Sequence, residues 1–217
     1  MAERCAVPRA RVALDYDPRA ATACVAAADP ALARVIARIG ECTLHHHAPD
    51  TPFRALLRSI VHQQLAGRAA AAIHGRLLAL YRRRLPVPRR VLATPDEQLR
   101  AAGLSRAKVA AVKDLAAKAV AGVVPDRARL ARMDDEAIVA RLTEVRGIGR
   151  WTVEMLLIFQ LGRPDVLPLD DLGVRKGFAR CRDHAELPER NALAAHGEAW
   201  RPYRSVASWY LWRATEL

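Results

Sequence analysis

Cysteine is scarce in this chain and nowhere paired. Cys5, Cys24, Cys42 and Cys181 are scattered through 217 residues, and no two stand at the short spacing of a zinc knuckle or a cysteine-ligated cluster. Long apolar runs are missing as well. None approaches the length that crosses a bilayer, and the opening segment Met1–Asp17 lacks the apolar block of a secretory signal. The expectation is a cytoplasmic, nucleoid-associated protein with no membrane partner. Strand-like alternation is confined to Arg11–Tyr16, and there is no internal repeat. What remains is helical, so the fold class expected is all-α.

Arginine is abundant. Of 35 basic residues four are lysine, leaving 31 arginines, and the 23 acids leave a net charge of +12. That sign favours an anionic partner, although charge alone does not separate DNA, RNA and a membrane surface. The guanidinium is the better fork for phosphate, and a coding bias would give the same ratio. An apolar fraction of 52% supports a folded core and excludes a disordered basic tail. The length permits one sizeable domain, or two small lobes sharing a cleft.

Helix punctuation recurs along the chain. Asp29-Pro30 reads as an N-cap with proline at the first helical position, and Gly40 stops that helix. Thr51-Pro52 repeats the device ahead of Phe53, Leu56, Leu57, Ile60 and Val61. Gly67 interrupts this helix, and a second runs from about Arg68 to Arg83. Thr94-Pro95-Asp96-Glu97 has the pattern of a capping box. Asp134 opens a helix carrying Ile138, Leu142 and Val145. Trp151–Leu161 is a strongly apolar helix closed by Gly162, Asp170 or Asp171 opens the next, and Pro188 and Pro202 start the last two. The segment Arg82–Arg90 reads as a charged connection, and His45–His47 as a solvated loop or a metal ligand set.

Val145–Arg150 lies between two helical patterns. Gly147 and Gly149 permit positive φ and close backbone approach, while Ile148 fills the apolar gap between the helices. Amides at the start of the following helix suit a phosphate oxygen, and Thr152 adds a hydroxyl. Such a grip reads backbone and ignores base sequence. The same residues also make an ordinary tight turn. About two dozen residues further on stands Asp170-Asp171, readable as two N-caps or as a cap beside a catalytic carboxylate.

Taken together these segments resemble the helix-hairpin-helix DNA glycosylase superfamily, and most closely its alkylated-base branch, the 3-methyladenine DNA glycosylase II family. The resemblance rests on Gly147–Thr152, Leu167–Asp171, Trp200–Ser205, Ser59–Leu65 and Gly103–Lys108, and covers roughly residues 25–217. It implies a two-lobed helical fold with a cleft between the lobes, their boundaries near 50 and 185, and residues 1–24 as an extension. It implies that Asp171 is the catalytic acid, with Gly147, Gly149, Arg150 and Thr152 on DNA and Leu65 as the wedge that fills the vacancy left by a flipped base. Leu65 packing its own turn is the alternative. Trp151 and Trp212 match pocket walls, whose faces attract a cationic purine, although core packing explains a tryptophan equally well. Bifunctional relatives carry a lysine at the residue after the G-x-G-x unit, where this chain has Trp151, so no Schiff base forms from that position.

The expected activity is therefore monofunctional hydrolysis of alkylated purines of the 3-methyladenine and 7-methylguanine type, by a monomer acting on double-stranded DNA. The alternatives are a non-catalytic lesion binder and a glycosylase for deaminated or oxidised bases. No organic cofactor is expected. The resemblance implies a monovalent cation, Na+ or K+, on the carbonyls of Thr143, Val145 and Ile148. Two features depart from the family: Met155 and Leu172 stand where relatives place tyrosines, and the chain starts too late to include the N-terminal β-rich domain.

Overall fold

A computed structural model describes residue 14 and residues 16–44, 50–81 and 85–217. Cys5, most of the Arg11–Tyr16 segment, His45–His47 and Arg82–Arg84 lie outside the described residues. Among the described residues every regular element is helical, as the all-α reading expected. The helices are α1 (Pro18–Ala28), α2 (Pro30–Ile39), α3 (Pro52–His62), α4 (Gly67–Ala79), α5 (Pro88–Ala93), α6 (Asp96–Ala101) and α7 (Arg106–Val120). They continue with α8 (Arg127–Ala131), α9 (Asp135–Leu142), α10 (Arg150–Leu156), α11 (Leu172–Cys181), α12 (Arg190–Gly197) and α13 (Arg204–Ala214). A π-helical turn, Leu157–Leu161, follows α10, and a 3-10 turn, Glu198–Trp200, precedes α13. None of the described helices is long and apolar enough to cross a membrane.

Short polar side chains decide where the helices begin. Asp17, Asp29, Thr51, Ser105, Asp126, Asp134 and Asp171 each accept a backbone N–H from the first turn of the helix that follows. Three of these caps precede a proline at the first helical position, where its missing N–H removes no bond. Thr94 departs from the expected capping box. Its hydroxyl donates to the Arg90 carbonyl at 2.8 Å and lies 3.2 Å from the Tyr81 hydroxyl, so it closes α5, and α6 starts after Pro95 without a side-chain cap. Four other boundaries move. α3 ends at His62, before Gly67, and α4 stops at Ala79. The last two helices begin two residues beyond Pro188 and Pro202.

The chain forms two compact units: Met1–Pro49 with Leu157–Leu217, and Asp50–Leu156. In the second unit α7 is central. Its Val109, Val112, Leu115 and Ala116 are buried, and it packs on α3 and α5. In the first unit α13 is central, packed on α11, α2 and α1, with Val206, Ala207, Tyr210 and Leu211 buried.

Asp29 ties the first unit together. Only 3% exposed, it caps α2 through Oδ1 and gathers the Trp200 indole N–H at 3.0 Å, the His196 ring at 3.1 Å and the Arg182 guanidinium on Oδ2. Burial alone would raise its pKa. The Leu32 amide, His196, Arg182 and Trp200 outweigh burial and lower it from 3.8 to about 2. A depressed carboxylate adds stability above its unfolded pKa and loses it as pH falls through the folded value. The contribution is roughly 2 kcal/mol at neutral pH. Acid titrations of unfolding should therefore show this stability disappearing between about pH 4 and pH 2, and Asp29→Asn should flatten that stretch. An identical acid profile for the variant would rule this network out as its cause.

Candidate active site

The glycine hairpin joins α9 to α10 within the second unit. Gly147 has φ +78°, a conformation that favours glycine, and Ile148 behind it is buried. Gly149 differs from expectation. Its φ is not positive, and a Cβ there would meet nothing within 4 Å, so what it supplies is an open approach to the backbone. Two residues far off in sequence brace the turn. The Gln63 amide donates to the Gly147 carbonyl at 2.8 Å, and Asp114 accepts the Arg146 N–H at 2.7 Å. Burial would raise the Asp114 pKa. The Arg146 N–H and Lys118 together hold it below the ordinary carboxylate range. Lys108 donates to the carbonyls of Val61 and Gln63 at 2.7 and 2.8 Å, closing the C-terminus of α3, and desolvation lowers its pKa.

A cavity of about 760 Å³ opens beside this hairpin, lined among others by Gln63, Lys108, Gly147, Trp151, Thr152 and Met155. Four of the sequence-derived site residues, Gly147, Trp151, Thr152 and Met155, thus meet on one surface. Trp151 is 46% exposed, while Thr152 is only 6% exposed. Leu65, Gly149 and Arg150 do not line the cavity. Leu65 sits 37% exposed on the bend between α3 and α4, and the Arg150 guanidinium is forked onto Glu136 at 2.9 and 2.5 Å. Of the proposed cation ligands, the Val145 carbonyl also accepts the Ile148 N–H at 3.0 Å. No cluster of three acidic, histidine or cysteine side chains suited to a metal occurs among the described residues.

The carboxylate belongs to the first unit. Asp171 caps α11, its Oδ1 accepting the Val174 N–H at 2.8 Å and the Trp212 indole N–H at 2.8 Å. Trp212 in turn stacks on Phe159 of the π-helical turn, with centroids 5.7 Å apart. The loop leading to Asp171 is pinned to α13. Ser205 accepts the Val166 N–H and donates to the Arg163 carbonyl, and Arg204 pairs with Asp165 at 2.6 Å. Asp170 points elsewhere, exposed and paired with Arg190 at 3.1 Å. Leu172, the first residue of α11, is 53% exposed.

A helix-capping carboxylate and a glycine hairpin on one helical chain agree with the comparisons with known proteins. The family model described as HhH-GPD superfamily base excision DNA repair protein matches residues 57–202. The chain belongs to the HhH-GPD superfamily. It is 37% identical over 167 residues to DNA-3-methyladenine glycosylase 1 of Schizosaccharomyces pombe, covering 76% of this chain and 73% of that protein. Among solved structures, the Schizosaccharomyces pombe 3-methyladenine DNA glycosylase in complex with abasic DNA superposes with a TM-score of 0.80 at 33% identity, over 91% of this chain and 97% of that one. A DNA-3-methyladenine glycosidase from Bacillus halodurans gives 0.81 at 35% identity, over 93% and 91%.

Within this HhH-GPD chain, sequence reading missed the braces: Gln63, Asp114 and Lys108 around the hairpin, and Phe159 under Trp212. Gln63 and Lys108 stood inside quoted motifs, but nothing in local spacing pairs them with Gly147 or with α3. The hairpin makes a conformational prediction. Gly147→Ala forces a side chain into positive φ and should cost roughly 1 kcal/mol in denaturant unfolding. Gly149→Ala should leave stability unchanged. Equal losses would contradict the geometry described for the two glycines.

Proposed function

We propose that this HhH-GPD protein is a monofunctional DNA glycosylase that removes alkylated purines of the 3-methyladenine and 7-methylguanine type, acting as a monomer on double-stranded DNA and leaving an abasic site. The observation that carries the reading is a carboxylate anchored by two N–H donors at the start of α11, in a chain whose relatives bear alkylbase glycosylase names.

The chemistry follows from what breaks. As the bond from the sugar C1′ to the purine nitrogen lengthens, its electron pair leaves with the base and positive charge develops on the deoxyribose. A fixed anion stabilises that charge in the transition state. Asp171 is assigned this role, and it also orients the water whose oxygen then bonds to C1′. The N–H donors on Oδ1 fix the carboxylate's direction. An alkylated purine already carries positive charge and departs without a strong general acid. The half-exposed Trp151 offers an aromatic face of the kind that suits such a cation, and Trp212 is the ring bonded to the carboxylate. The hairpin grips phosphate, and Leu65 serves as the wedge. Carbonyls of Thr143, Val145 and Ile148 are the donor type that holds a monovalent cation, which would add positive charge at the grip. Met155 and Leu172, where relatives place tyrosines, supply no ring faces, which favours a less discriminating choice among purines.

Incubation with alkylated duplex DNA should release free methylated purines, identified by chromatography. Abasic-site DNA with borohydride should yield no covalent protein adduct, because Trp151 occupies the lysine position. Efficient trapping would overturn the monofunctional assignment, and failure to release any base would overturn the reading as a whole.

A further inference from the structure

Two glycines interrupt α11, a helix of ten residues that α-helical propensity alone would not give them. Gly173 and Gly177 are four apart and so lie on one face. At Gly177 the cause is backbone contact with α13. A Cβ there would lie 1.9 Å from the Leu211 carbonyl oxygen, a separation no side chain can occupy. One turn earlier the neighbours are of another kind. A Cβ at Gly173 would meet Trp212 Cδ1 at 2.8 Å, Asp171 Oδ1 at 3.0 Å and Trp212 Nε1 at 3.3 Å. Those are the atoms of the hydrogen bond between the indole and the carboxylate.

We propose that Gly173 is a positioning residue for Asp171, acting through Trp212. Its missing side chain lets the indole lie close enough to donate to Oδ1. The inference rests on reading Asp171 as the catalytic carboxylate. A methyl group at position 173 must displace either the ring or the carboxylate. The ring has little freedom to yield, since its face is stacked on Phe159 and its helix is packed against α11 at Gly177. Displacing either partner lengthens or breaks the 2.8 Å bond that sets the direction of the carboxylate. Gly173 touches no substrate in this account; its effect reaches the chemistry only by way of the indole.

A double-mutant cycle of Gly173→Ala and Trp212→Ala tests this, because alanine removes both the N–H and the ring atoms that a methyl at 173 would meet. Three quantities are read for wild type, both single variants and the double: single-turnover base release, affinity for undamaged duplex and melting temperature. Gly173→Ala should slow base release about tenfold or more, the scale of one lost hydrogen bond to a charged group. Duplex affinity should stay within about twofold, since no phosphate contact is removed. The double variant should be no slower than Trp212→Ala alone. Should Gly173→Ala fail to fold, it should cause no further loss of melting temperature in the Trp212→Ala background.

Independent, multiplying effects would overturn the proposal. So would a Gly173→Ala protein as fast as wild type, or instability that persists unchanged beside Trp212→Ala. If wild type releases no base, the catalytic reading of Asp171 fails and this inference falls with it. That result is distinct from an active wild type with an additive cycle.

Discussion

Two N–H groups converge on one oxygen of Asp171, and much of the first unit is arranged so that they can. One comes from the backbone of Val174, available because a helix begins there, and the other from the indole of Trp212, on a helix distant in sequence. The second donor requires α13 to lie against α11 at backbone distance, which Gly177 permits. It also requires the preceding loop to hold its course. Ser205 and Arg204 fix that loop from the start of α13, so the helix that carries the donor also locates the acceptor. Asp29 sets the far end of the same unit by joining α2 to Arg182, His196 and Trp200.

The second unit solves a different problem, which is to present backbone. Of its two glycines only Gly147 takes a positive φ, while Gly149 is left open. Side chains reaching from α7 and from the end of α3 hold the turn by its amides and carbonyls. Arg150, a residue whose charge suggests phosphate, is instead paired with Glu136.

Much of this was legible in the sequence, and the pattern of successes has a physical cause. Asp29, Thr51, Asp134 and Asp171 announced their helices because an N-cap acts over three residues, a distance that spacing can report. Thr94 misled for a complementary reason. Its hydroxyl had a competing carbonyl one turn back and a tyrosine from outside the local segment, and those partners won. The hairpin was visible as a glycine pattern, yet the pattern did not tell which glycine needs positive φ. The braces on Asp171 and Gly147 span tens of residues, and periodicity does not encode them. The Trp200–Ser205 motif and Trp212 pointed to the last helix, yet its work of pinning the loop before Asp171 emerges only in three dimensions.

The central claim is that one anchored carboxylate performs the chemistry while the rest of the protein holds DNA and position. Asp171→Asn tests it most directly, because the amide oxygen can still accept from Val174 and Trp212, so the fold is retained while the charge is removed. The account predicts that base release from alkylated DNA falls by about 100-fold or more, with duplex affinity preserved. Release near the wild-type rate from a folded Asp171→Asn protein would contradict it.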